Sequence, residues 1–161
     1  MLDREVWISI PGNPKTKGSM KCVGQNGMHK LVESHASATP WLNLLSGWFG
    51  RKLASRKAVA GQPVGVECTF TLERPVAHYG TGRNRGILKP RFVDAQPVGH
   101  NTGDLDKLAR VVADALQKAE ILPDDSAVVE LVARKAYVQV HPEKHSDVKP
   151  VPGVVVRIYP L

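Results

Sequence analysis

Apolar residues recur along this chain at two rhythms. Glu5 to Ile10 alternates polar with Val, Trp and Ile and stops at Pro11-Gly12, which predicts a short first strand closed by a turn. Pro63 to Glu73 alternates more clearly, with Val64, Val66, Cys68, Phe70 and Leu72 on one side, and predicts a half-buried strand. Between them, Trp41, Leu44, Leu45, Trp48, Phe49 and Leu53 recur at helical spacing behind Thr39-Pro40, predicting a helix that closes by about Gly61. Leu105, Leu108, Val111, Val112, Ala115 and Leu116 give a second helix over Asp104 to Ala119, with Asp104 as its N-cap. Ala127 to Val140 and Gly153 to Tyr159 predict two further strands. The order is strand, helix, strand, long loop, helix, strand, strand. It specifies an α/β (α+β) fold in which a small mixed sheet is covered by two main helices.

At 161 residues, with 42% hydrophobic and 23% charged residues, the chain has the make-up of a single globular domain spanning 1–161. No run approaches the length of a membrane span. Asp3 and Glu5 stand where a secretory signal would need basic residues, so a cytoplasmic protein without a membrane partner is expected. Cys22 and Cys68 lack paired spacing and are read as reduced packing residues. No P-loop or dinucleotide fingerprint occurs, and no nucleotide cofactor is expected. His141 and His145 are four apart, but Pro142 interrupts, which favours a solvated pair over a zinc site. A lone His100 before the second helix has only a weak claim on a phosphate.

The net charge of +7 indicates a polyanionic partner, nucleic acid first. Its distribution says more. Val6 to Gly103 holds thirteen basic residues against four acidic, whereas Asp104 to Asp147 holds six basic against nine acidic. Two stretches of the basic part, about 13–30 and 74–103, are rich in Gly and Pro and read as mobile basic loops. Lys15, Lys17 and Lys21 in the first, and Arg83, Arg85, Lys89 and Arg91 in the second, are candidate phosphate contacts. Tyr79 and Phe92 are candidates for stacking on bases. Arg51, Lys52, Arg56 and Lys57 on the first helix suit a solvated face as well as a DNA-facing one.

The acidic part carries the candidate chemistry. Phosphodiester hydrolysis needs charge stabilised on the attacking and leaving oxygens, which hard divalent cations do when a few carboxylates hold them and leave positions open. Asp104, Asp106 and Asp125, with Asp124 adjacent, can supply such a set. The same residues also suit ordinary helix chemistry. Acids in a first turn complement the macrodipole, and Asp106, Arg110, Asp114 and Lys118 at steps of four can form a surface ion-pair ladder.

The run Asp104-Leu-Asp106-Lys-Leu-Ala-Arg110, followed by Asp114-Ala-Leu and then Asp124-Asp125-Ser-Ala-Val-Val129, resembles the RusA family of Holliday-junction endonucleases, of phage or prophage type. The family pattern is Asp-x-Asp-Asn-x-x-Lys, Asp-Ala-Leu and Asp-Asp-x-x-Val-Val. The strict match spans about a sixth of the chain. The resemblance implies an intertwined homodimer that binds branched DNA such as a four-way junction. It implies Asp104, Asp106 and Asp125 as acids binding magnesium, with manganese as a substitute, and Asp124 and Asp114 as supporting acids. Lys107 stands where the family has Asn, and Arg110 where it has Lys. Arg110 keeps the charge and suits electrostatic stabilisation of a phosphate rather than proton donation. Lys107 is counted with the DNA contacts.

Helix geometry adds an expectation about assembly. A regular helix from Asp104 to Ala119 spans roughly 22 Å. Glu120 to Asp125 can cover about 20 Å only if fully extended straight back. Completion of each site by Asp125 of a second subunit is the easier arrangement. Alternatives are a non-catalytic DNA-binding protein of the same fold and a less selective nuclease acting on forks and flaps.

Overall fold

A computed structural model of the chain describes residues 1–17, 20–23, 30–33, 38–138 and 147–161. Strands β1 (Val6–Pro11), β4 (Val64–Leu72), β5 (Val128–Tyr137) and β6 (Gly153–Pro160) form one sheet in the order β1-β6-β4-β5. β2 (Met20–Val23) and β3 (Lys30–Glu33) pair antiparallel as a separate two-stranded ribbon. Helix α1 spans Ala38–Leu53 and α2 spans Leu105–Lys118. This is the mixed sheet with two helices that the periodicities predict.

β4 lies between two partners, antiparallel to β6 and parallel to β5. Its sequence suits that place, since Val64, Val66, Cys68 and Phe70 are all buried. Gly65, Thr69 and Thr71 occupy alternate positions with Glu67, which pairs with Arg134 and Arg157. Trp41, Leu45, Phe49 and Leu53 of α1 and Leu108, Val111, Val112, Ala115 and Leu116 of α2 complete a single core against β4 and β6. Full burial of Phe49 and Phe70 contributes about 2–3 kcal/mol each. Cys68 is free in that core, and burial pushes its thiol up to about 12, so it is an inert packing residue as expected. Cys22 has its side chain outside the described residues.

Three boundaries differ from the sequence reading. α1 ends at Leu53, eight residues before Gly61, because the following Ala-Ser-Arg-Lys stretch has no apolar face to bury. The Arg56 amide turns back onto the Leu53 carbonyl at 2.8 Å, and the Ala58 amide bonds Ile121 beyond α2. The stretch read as the loop 13–30 contains β2, which at four residues is too short to carry a readable alternation. β5 ends at Tyr137, and residues 139–146, with His141 and His145, lie outside the described part.

The long 74–103 connection is a chain of single 3-10 turns, at Val76–His78, Gly82–Asn84, Pro90–Phe92 and His100–Thr102, rather than a featureless loop. Arg74, only 7% exposed, organises its base. Its guanidinium donates to the carbonyls of Val138 at 3.1 Å, Val93 at 3.0 Å and Phe92, and lies over the Tyr137 ring. His78 stacks on Phe92 at 4.2 Å and meets Tyr137 edge-on. Burial and the charges of Arg74 and Lys89 hold the His78 imidazole below its usual pKa.

Replacing Arg74 by Met leaves three carbonyls without their donor. The expected loss is about 2–3 kcal/mol of stability in chemical denaturation, with amide exchange accelerated across 76–93. Unchanged exchange there would show that Arg74 does not hold the segment.

Candidate active site

The start of α2 is set by backbone that needs a glycine. Gly103 has φ +75°, and a Cβ there would lie 2.6 Å from the Thr16 methyl, so a side chain is excluded twice. Asp104 follows as the N-cap residue in an extended conformation, and its carbonyl accepts from the Leu108 amide at 3.0 Å. Its carboxylate makes no capping hydrogen bond. That carboxylate is instead 2.6 Å from the Lys107 ammonium, and the contact raises the Lys107 pKa. Asp106, in the first turn, and Arg110, one turn on, are both exposed, while the opposite face of α2 is buried. Asp104, Asp106, Lys107 and Arg110 thus share the solvent-facing start of one rigidly seated helix, where the macrodipole favours the two carboxylates.

A residue that the sequence reading did not single out anchors this start from the sheet. Lys135 sits in β5 opposite Phe70 and sends its ammonium to the Gly103 carbonyl at 2.8 Å and the Thr102 hydroxyl at 3.0 Å. Thr102 in turn donates within the turn, its Oγ1 lying 2.8 Å from the Gly99 carbonyl. Nothing local in the sequence marks Lys135, because its partners are 32 and 33 residues away.

The other two acids lie at the far end of α2. Ile121 and Leu122 are buried and carry the chain off the helix to Asp124 and Asp125 before β5. The Asp124 carboxylate accepts from the Ser126 amide at 2.9 Å, hydrogen bonds from the Ser126 hydroxyl and then its amide keep the Asp124 pKa below the usual range, and Asp125 is exposed. Two rulers give the separation. α2 is about 21 Å long. β5 runs about 23 Å from Val128, just after Asp125, to Lys135, which touches Gly103. Within one chain Asp104 and Asp106 are therefore brought together, and Asp125 stands at the opposite end of the domain. Among the described residues no three His, Cys, Asp or Glu side chains converge as a metal site. The donors at the start of α2 are hard, water-exposed oxygens of the kind magnesium takes, and they amount to part of a set.

The remaining predicted residues divide. Asp114 pairs with Lys17 at 2.8 Å and Lys118 donates to Asn43, so the row on α2 is tied outward rather than forming a continuous ladder. Lys17, a candidate phosphate contact, makes this pair from a part-exposed position and ties the segment after β1 to α2. Lys15 is exposed near Gly103. Arg83, Arg85 and Arg91 are exposed on the 3-10 arm, and Lys89 reaches the Ala77 carbonyl at 2.9 Å. Phe92, expected as a base-stacking candidate, has one ring face against His78 and Arg91 near its ring at 4.8 Å. The side chains of Lys21 and His100 lie outside the described residues.

A family model described as endodeoxyribonuclease RusA matches residues 11–159. No curated protein matches the chain significantly.

Exchange of Lys135 for Met removes the anchor of Thr102 and Gly103. The expected cost is about 1–2 kcal/mol, with faster amide exchange over Asn101 to Leu108 and unchanged exchange in β4 and β6. Uniform loss of protection would instead mark Lys135 as a general packing residue.

Proposed function

The chain belongs to the RusA family and is an endodeoxyribonuclease of the Holliday-junction resolvase type; from that premise we propose that it cuts branched DNA with a divalent cation held between two subunits. In this reading Asp104 and Asp106 of one subunit and Asp125 of the other form each metal site. The observation that carries it is the separation of the acids. A single chain offers two carboxylates at one end of α2 and two at the other, more than 20 Å apart by about the length of the helix. A two-fold dimer that sets one end against the other makes two equal sites, which suits a substrate with two strands to be cut symmetrically.

A cation bound there, magnesium or manganese, supplies an acidified water and charge neutralisation at the phosphate. The protein's own groups do the rest. Arg110, exposed one turn from Asp106, is placed to take phosphate oxygens with two parallel N–H donors. Lys107 balances Asp104 in the free protein and can turn to a neighbouring phosphate. Asp124 orders the Asp125 turn through Ser126 and, beside Asp125, can add a carboxylate oxygen to the metal set. Lys15 and the Arg83, Arg85, Lys89 and Arg91 arm hold the DNA backbone, which positions the substrate without reading its sequence. No helix among the described residues is long and apolar enough to cross a membrane.

Incubation with a synthetic four-way junction, a flap and linear duplex, with and without magnesium or manganese, tests this reading. Symmetric nicking of the junction in the presence of metal is expected. Asp106→Asn should lower it by at least about a hundredfold while leaving metal-free DNA binding intact. Cleavage that survives chelation, or equal cutting of linear duplex, would contradict it.

A further inference from the structure

Beside Asp104 lies a cleft of about 430 Å³. It opens between the segment after β1 (Asn13 to Thr16), the end of β4 (Leu72 and Glu73) and the turn Asn101 to Gly103. Its volume falls in the range of about 300–1,000 Å³ usual for sites that enclose small organic groups. Its lining is mainly polar, with Leu72 and Leu108, both buried, contributing a smaller apolar part. Asn13, Lys15, Thr16, Glu73 and Asn101 bring amide, ammonium, hydroxyl and carboxylate groups to it. Gly103 belongs both to this cleft and to the entry into Asp104, so an occupant would sit one residue from the first candidate metal ligand.

We propose that this cleft receives one unstacked nucleobase of the strand being cut, next to the scissile phosphate; the inference rests on the nuclease reading above. A mainly polar lining of mixed donors and acceptors with a smaller apolar part matches a base, which presents a hydrogen-bonding edge and an apolar face. A phosphate would meet the Glu73 carboxylate as well as Lys15, and an apolar ligand would strand both charges. Drawing a base out of an intact duplex is costly and is least so where pairing is already broken. A branch point presents such bases. The cleft therefore gives a physical source for preference for branched over linear DNA at the site of cleavage, separate from the phosphate contacts.

The experiment uses four-way junctions with 2-aminopurine at positions flanking the cut, whose fluorescence rises on unstacking, and full-length protein without metal. Binding of wild-type protein should raise the emission at one position, and Asn101→Trp, which fills the cleft, should remove the rise. With metal, Asn101→Trp should cut about tenfold more slowly while its metal-free junction affinity stays within about twofold. Glu73→Gln, a near-isosteric change, should alter the ranking of the four bases at that position, and matched thermal unfolding of both variants excludes loss of fold. Normal cutting by both variants with no fluorescence change overturns the cleft while leaving the nuclease intact. Failure of wild-type protein to cut any junction overturns the nuclease reading; the cleft is then judged on fluorescence alone, a rise supporting it and no rise overturning it.

Discussion

The parallel pairing of β4 with β5 is the constraint on which the functional geometry depends. Parallel neighbours cannot be joined by a hairpin, so the chain must travel the length of the sheet between them. Here that return journey is made by α2. A helix used in this way necessarily has its ends at opposite ends of the domain. The aspartates at its start and those after its end are separated by the same topology that seats its apolar face on the core.

Each end is then fixed by contacts from distant sequence. At the start, Lys135 reaches across from β5 to the turn that delivers Asp104, and the Lys17–Asp114 pair ties the segment after β1 to the helix. At the other end, the Ala58–Ile121 backbone bond and the exposed Lys57–Glu120 pair bring the exit of α1 beside the exit of α2. The basic 3-10 arm rooted by Arg74 leaves the sheet at the Asp104 end, whereas Arg56 and Lys57 lie toward the Asp125 end. In a dimer that joins unlike ends, each site is flanked by cationic residues from both subunits.

Much of this was legible in the sequence. The two helices follow from hydrophobic period because each buries one face; β4, expected to be half-buried, is instead buried on both faces, and β5 keeps only Tyr137 buried. The spacing of Asp104, Asp106, Asp124 and Asp125 singled out the candidate acids, and helix length already opposed their union in one chain. What was not legible depends on tertiary contact. Lys135 and Glu73 look like ordinary polar positions until the sheet register places them near Gly103. Arg74 reads as one more cation of a basic loop, yet it is buried against three carbonyls. The Lys17–Asp114 ion pair joins residues 97 apart in the chain, which no local pattern could have shown.

The central claim, that each site is shared between subunits, is tested most directly by complementation. Asp104→Asn and Asp125→Asn proteins, each inactive alone, are unfolded together and refolded, and the isolated heterodimer is assayed on a four-way junction with magnesium. A shared site predicts one intact centre per heterodimer and recovery of single-strand nicking. Heterodimers as inactive as either parent would place all the acids of each site within one chain and contradict the account.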